Sequence, residues 1–352
     1  MKNLHESVQN YYGKELSKSE DLKTNACCTV KNYPSYIKTA MGKIHDEVMS
    51  KYYGCGLTIP TAMDAMKVLD LGSGSGRDCY LAAQLVGENG EVVGVDMTDE
   101  QLEVSNRHID YHTEKFGYKS SNTSFLKGYL EELDDLGLKD DYFDIIISNC
   151  VINLVKDKQK VLNSTFNKLK NGGEMYFSDV YVNKRIPKEL VDDPVLYGEC
   201  LSGSLYINDF LSMAKKAGFQ DPRVVETAPI TISNKSIQDK LEGYEFLSIT
   251  YRLFKIEELE DNCEDFGQAV MYKGGIEGME KSFILDDHHI FEEGKVEAVC
   301  GNTYRMLNDT RLLEYFNFYG DWSKHYGVFE GCGNNIFSSE SKSKVSTDEG
   351  CC

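Results

Sequence analysis

Apolar and polar residues follow two rhythms along this chain. From Lys67 onward short apolar runs recur at Val68–Leu71, Glu91–Asp96, Thr123–Gly128, Phe143–Ser148 and Glu174–Asp179, and each reads as a strand. Between them, Asp78–Val86, Asp99–Phe116 and Asp157–Lys170 carry helical periodicity, the last ended by Gly172-Gly173. This alternation predicts an α/β fold, a mainly parallel, doubly wound sheet with helices on both faces. Residues before about 50 read as polar and helical. After Val180 the pattern loosens around Pro187, Pro194, Pro222 and Pro229, with a helix expected at Ile207–Ala217 that stops at Gly218. Beyond about residue 235 the chain is β-leaning, with short strands in Tyr244–Phe254, Ala269–Tyr272 and Lys281–Val299 and a last helix at Tyr304–Phe318. The Ser/Lys-rich tail reads as disordered.

Composition narrows the functional classes. No apolar run approaches the roughly 18 residues of a membrane span, and the N-terminus lacks the basic-then-apolar layout of a signal peptide. A cytoplasmic protein with no membrane attachment is expected, and nothing demands more than a monomer. The formal net charge of −19 argues against a nucleic-acid partner, which needs a basic footprint, and mildly favours a cationic cofactor. Eleven cysteines in such a chain read as reduced thiols, and no C-x-x-C pair offers the usual zinc spacing.

The glycine run Gly72-Ser73-Gly74-Ser75-Gly76 follows a buried strand and opens a helix. Arg77 stands where the third glycine of a dinucleotide fingerprint would fall, so no pyrophosphate is implied. The turn after Val-Leu-Asp-Leu resembles that of S-adenosylmethionine-dependent methyltransferases. Asp96 closes the next strand about 20 residues on, the place from which a carboxylate bonds ribose hydroxyls. Where many such enzymes carry an acid after the third strand, this chain has Gly128-Tyr129-Leu130-Glu131, which leaves adenine contact to the Leu130 backbone and Glu131. Cys79, in the first turn of the following helix beside Arg77, is expected to have a depressed pKa.

Several cysteine-bearing elements make the resemblance specific. Thr24-Asn25-Ala26-Cys27, Tyr52-Tyr53-Gly54-Cys55-Gly56, Arg77-Asp78-Cys79-Tyr80, Ser148-Asn149-Cys150-Val151-Ile152-Asn153-Leu154, Phe177-Ser178-Asp179-Val180-Tyr181, Gly198-Glu199-Cys200-Leu201-Ser202-Gly203 and Tyr272-Lys273-Gly274-Gly275-Ile276 together resemble the arsenite methyltransferase family, over about residues 5 to 320. The resemblance implies a Rossmann-like methyltransferase sheet at 56–185, an N-terminal helical cover at 1–55, an arsenic-binding substrate segment at 186–235, a small C-terminal α+β domain at 236–335 and a tail at 336–352. It implies S-adenosylmethionine as cofactor, contacted by Tyr53, Asp70, Gly72, Ser73, Gly74, Gly76, Asp96, Met97, Gln101, Leu130, Glu131 and Asn149.

By the same resemblance, Cys150 and Cys200 would hold trivalent arsenic, with Cys79 a further candidate ligand. Cys27 would complete the catalytic set with Cys79, Cys28 being its alternative by register. Trivalent arsenic is soft and prefers thiolates, and its lone pair can attack a positioned methyl group. Arsenic methylated in this way is formally pentavalent. Closure of a Cys27–Cys79 disulfide would return it to the trivalent state, and thioredoxin or glutathione would reset the pair. Repeated rounds on arsenite or its thiol conjugates would give mono- and dimethylated products.

Other residues read as structural: Cys55 as structural or incidental, Cys263, Cys300 and Cys332 as packing or surface, His108 and His112 as a solvated helix face, Asp286-Asp287-His288-His289 as a hairpin turn. Two rival functions stay open, methylation of an organic small molecule with passive cysteines and non-catalytic sequestration of a metalloid.

Overall fold

The computed structural model describes residues 4–16 and 33–332. The chain enters through α1 (Leu4–Asn10), a π-helical turn (Tyr11–Glu15), α2 (Ser35–Met41) and α3 (Asp46–Ser50). The alternating part then runs β1 (Lys67–Leu71), α4 (Arg77–Val86), β2 (Glu91–Asp96), α5 (Asp99–Arg107), α6 (Ile109–Phe116), β3 (Thr123–Lys127), β4 (Phe143–Asn149), α7 (Lys158–Lys168) and β5 (Leu169–Val182). Next come α8 (Lys188–Val191), α9 (Pro194–Gly198), β6 (Leu205–Tyr206), α10 (Ile207–Ala217), β7 (Arg223–Pro229), α11 (Lys235–Lys240) and β8 (Phe246–Phe254).

The strands form one sheet in the order β3-β2-β1-β4-β5-β8-β7, with β6 beside β5. β1 to β5 pair parallel, while β8 runs antiparallel between β5 and β7. The order reverses between β1 and β4, and the carboxyl ends of those strands carry Gly72 on one side and Asn149-Cys150 on the other. Such a crevice is where doubly wound sheets bind ligands. Both faces are covered, so the inner strands are apolar along their length: Ile145, Ile146 and Ile147 of β4 are all fully buried. Leu69, Ile146 and Phe177 pack towards α7 and α10, and Val68, Ile145 and Ile147 towards α2, α3 and α4.

Four expectations need correction. The helix read at Asp99–Phe116 breaks at His108 into α5 and α6, and its histidines are not solvated. His108 stacks on His45 at 3.8 Å between ring centres and reaches Glu47 at 2.7 Å, while His112 stacks on Tyr80 at 3.6 Å. These rings form the joint between α3 and the sheet's helices. β5 begins at Leu169 instead of Glu174, because Gly172 (φ +78°) lets the chain bulge opposite β4 without leaving the ladder. The sheet runs past the boundaries expected at 185 and 235, since β7 and β8 are its far edge.

The fourth concerns the C-terminal domain. There β9 (Glu264–Asp265), β10 (Gln268–Tyr272), β11 (Ser282–Ile284), β12 (Ile290–Glu292) and β13 (Val296–Val299) precede α12 (Gly301–Asn308), β14 (Phe316–Tyr319) and β15 (Gly327–Val328). The helix expected over Tyr304–Phe318 stops at Asn308. Arg311 is drawn away to the Thr61 and Ala62 carbonyls and to Glu174, and Phe316–Tyr319 then pair with β10. The hairpin turn between β11 and β12 is as read, with Asp286 accepting from the His288 and His289 amides at 2.9 and 2.8 Å.

Among the described residues no helix is long and apolar enough to cross a membrane. The C-terminal domain is tied to the sheet through buried charge. Glu174, fully buried on β5, pairs with Arg252 of β8 at 2.7 Å and with Arg311. Removing the shared carboxylate strands two guanidinium groups in a low-dielectric setting. Glu174→Ala is therefore expected to lower stability by about 3–5 kcal/mol in urea unfolding, and a loss below 1 kcal/mol would contradict this account.

Candidate active site

The glycine turn is dictated by space. Gly72 (φ +77°) lies where an added Cβ would come within 2.5 Å of the Val151 side chain, and at Gly76 (φ +89°) it would meet Phe125 at 2.8 Å. The turn is fixed from β2. Asp96 accepts the Gly74 amide at 2.9 Å and the Thr98 amide at 2.8 Å, and burial still raises its carboxyl above the usual range.

A cavity enclosing about 950 Å³, counting its open mouth, lies over the carboxyl ends of β1, β2 and β4. Tyr53, Asp70, Gly72, Ser73, Gly74, Asp96, Met97, Gln101, Leu130, Glu131 and Asn149 all line it. Gly76 does not, since it sits beneath the turn against Phe125 and starts α4. Asn149 lines the cavity but spends its amide on the protein. Its Oδ1 accepts the Cys55 and Gly56 amides at 2.8 and 3.2 Å, and its Nδ2 donates to Tyr52 Oη at 2.6 Å, the Gly56 carbonyl at 2.8 Å and Asp78 at 3.0 Å.

That anchoring brings Cys55 to Cys150. The two form a disulfide with Cα atoms 5.8 Å apart, so Cys55 is a partner of the site thiol and not incidental. Cys150 lines the cavity. Cys200, fully buried after α9, places Sγ 3.4 Å from the Cys150 carbonyl and 3.8 Å from Tyr12 Oη. Both residues take left-handed backbone, φ +57° at Cys150 and +58° at Cys200, a region that side chains other than glycine's seldom enter. The N-terminal arm closes over them, with Tyr11 donating to the buried Glu199 at 2.5 Å and Tyr12 to the Gly198 carbonyl at 2.8 Å. Behind, burial brings the Lys158 amine down to about 8 despite the opposing charge of Asp179, whose own carboxyl burial raises to about 6.

Cys79 departs from its expected role. It lies beneath the turn, fully buried and outside the cavity lining, and donates to Asp70 at 3.2 Å. Burial, and after it Asp70, push its pKa well above the ordinary thiol value, the reverse of the depression expected from the helix start. Arg77 does not face it either, stacking on the Tyr52 ring at 3.7 Å and pairing with Asp78 at 3.2 Å. Cys27 and its alternative Cys28 lie outside the described residues. Tyr12, Tyr52 and Asp78 also line the cavity and were not singled out for it; the Tyr11-Tyr12 and Tyr52-Tyr53 pairs were visible, but nothing local shows which way they face.

Two family models match the chain, a methyltransferase domain over residues 62–218 and an arsenite methyltransferase C-terminal domain over 267–352. An arsenite methyltransferase of Aquipseudomonas alcaligenes is 54% identical over 349 residues, covering 99% of this chain and all of that protein. The chain belongs to the arsenite methyltransferase family. The human arsenite methyltransferase is 45% identical over 316 residues, 89% of this chain and 83% of that one. A crystal structure of CrArsM, an arsenic(III) S-adenosylmethionine methyltransferase from Chlamydomonas reinhardtii, covers 85% of this chain and all of its own, at 48% identity and a TM-score of 0.82. In this arsenite methyltransferase-family chain the buried Cys79 is expected to resist iodoacetamide at neutral pH until denaturant is added, with reactivity in the folded state appearing only at strongly alkaline pH. Modification of Cys79 in the folded protein at pH 7, seen by peptide mass mapping, would restore the low-pKa reading.

Proposed function

We propose that this protein transfers methyl groups from S-adenosylmethionine to trivalent arsenic held by Cys150 and Cys200, giving mono- and dimethylated arsenicals. The observation that carries this reading is that Cys150 stands in the cavity wall with the Cys200 sulfur 3.4 Å from its backbone carbonyl.

The cavity suits the cofactor. Ser73 Oγ and Gln101 Oε1 are buried in its wall with no partner among the described residues, so a polar ligand has groups to satisfy there. Asp96 stands ready for a diol, and the glycine turn lets backbone approach closely. When bound, S-adenosylmethionine supplies an electrophilic methyl group on a cationic sulfur.

The rest falls to this chain's residues. A thiolate from thioredoxin or glutathione opens the Cys55–Cys150 disulfide, two electrons entering and two thiols resulting. Cys150 and Cys200 then replace two hydroxyls of arsenite, each As–O bond giving way to As–S while the thiol protons leave in water. After methylation, Cys55 attacks the Cys150 sulfur: the new S–S bond forms, the As–S bond breaks, and its electron pair returns arsenic to the trivalent state. The reducing pair is thus Cys55 with Cys150, in place of Cys27 with Cys79. A cytoplasmic setting and a monomeric protein fit this cycle.

Arsenic speciation by chromatography after incubation with arsenite, S-adenosylmethionine and a dithiol tests it. Cys150→Ser and Cys200→Ser are expected to lower methylated product by about 10²-fold or more while cofactor binding persists, since positioning of the arsenic is lost. Cys79→Ser is expected to retain turnover, and Cys55→Ser to lose it after the first methyl transfer. Wild-type product from Cys150→Ser would overturn the site, and repeated turnover by Cys55→Ser the redox step.

A further inference from the structure

Three cysteines that read as packing or surface converge in the C-terminal domain. Cys263 directly precedes β9, which pairs with β15, and the pairing carries Cys332 alongside. The Phe329 amide donates to the Cys263 carbonyl at 2.8 Å, and the Cys332 amide to the Phe329 carbonyl at 3.0 Å. Cys300 is the N-cap of α12: its Sγ accepts the Thr303 amide at 3.5 Å and lies 3.3 Å from Thr303 Oγ1. Asn302 clamps the Cys263 loop onto this helix start, bonding the Glu260 amide and carbonyl, both at 2.8 Å. The Cys263 thiol lies within side-chain reach of both Cys300 and Cys332. All three are free thiols, Cys300 buried and the other two half-exposed, so the cluster opens to solvent on one side.

We propose that Cys263, Cys300 and Cys332 form a second thiol site that takes trivalent arsenic, as arsenite or as a methylated trivalent arsenical. The inference rests on the function proposed above, which makes such species the protein's substrate and product. Binding is redox-neutral: each thiol displaces one hydroxyl from arsenic, an As–S bond replaces an As–O bond, and the proton leaves in water. Softness selects the ligand class, since the Cys263 sulfur has a further thiol within reach on either side. Cys300 is the member prepared to ionise. The Cys263 S–H first, then the Thr303 donors and the nearby Arg223 guanidinium, stabilise its thiolate. Three segments far apart in sequence supply the thiols, so a ligand bridging them also ties the last strand pair to α12.

The test uses the full-length protein reduced with a phosphine, phenylarsine oxide as the probe, and native mass spectrometry to count phenylarsenic adducts. Cys263→Ser, which removes the thiol within reach of both others, is expected to carry one adduct fewer than wild type while still methylating arsenite. Cys150→Ser, which removes the thiol shared by Cys55 and Cys200, is expected to lose a different adduct, and Cys150→Ser with Cys263→Ser to lose two. Adducts at other thiols cancel in the comparison. Cys332→Ser, at the half-exposed end, guards against variants that fail to fold, with thermal denaturation run on each. An unchanged count in folded Cys263→Ser, Cys300→Ser and Cys332→Ser would overturn the second site whatever Cys150→Ser does. A count unchanged by Cys150→Ser alone would instead count against the active-site reading.

Discussion

The Asn149 side chain holds the active site together. Standing at the carboxyl end of β4, it offers one acceptor and two donors, and all of them go to the Tyr52–Gly56 loop and to Asp78. A primary amide is suited to this, because it satisfies backbone N–H and C=O groups of one loop simultaneously. The loop would otherwise bury unpaired amides at Cys55 and Gly56, at a cost of about 1–3 kcal/mol each. With the loop fixed, Cys55 lies against Cys150, Tyr52 lies under Arg77, and the wall of the cavity is closed. Each of these depends on a strand residue whose position the parallel sheet sets.

The second constraint is backbone strain at the thiols. Left-handed conformations at Cys150 and Cys200 cost of order 1–3 kcal/mol each and persist only where surroundings over-determine them. At Cys150 the amide is held by the Ser178 carbonyl at 2.8 Å, and at Cys200 the carbonyl accepts the Ser204 hydroxyl at 2.7 Å. The result is two sharp reversals, one after β4 and one after α9, that turn the residues towards each other. Relaxed backbone at either position would send the chain on in a helix or strand and separate the pair. Strain is in this sense what converts two distant sequence motifs into one site.

What the sequence made legible was local. The glycine run, Asp96 and the strands around them follow from short-range sterics and periodicity, and the Ile207–Ala217 helix with Gly218 (φ +115°) behind it appears with its bounds unchanged. The Cys55–Cys150 contact spans 95 residues and is made by an amide hub, so no periodicity announces it. At Cys79 a helix-start argument counts dipole and cation but not burial, and burial first, then Asp70 below it, raises the thiol. The sheet's far edge was hidden for another reason. β7 and β8 follow long proline-interrupted excursions, and their pairing with β5 is antiparallel, outside the strand–helix rhythm. His108 and His112 carry no local sign of burial, since their partners His45, Glu47 and Tyr80 lie on other helices.

Charge explains why the cavity tolerates its own composition. Asp70, Asp78, Asp96 and Glu131 line it against Lys51 and Arg77, and Arg77 is already committed to Asp78 and the Tyr52 ring. Burial first, and then Asp78 and Asp96, raise the Asp70 carboxyl well above its usual range, and burial raises Asp96 too, so these two acids resist ionisation. A ligand with a fixed positive charge lowers the cost of ionising them, and by linkage the ionised acids bind that ligand more tightly. The net charge of −19 adds a long-range field of the same sign. Neutral arsenite gains nothing from this field and is held through sulfur instead. The acids therefore discriminate for the cationic methyl donor, the thiols for the soft acceptor, and Cys150 stands where the two selections meet.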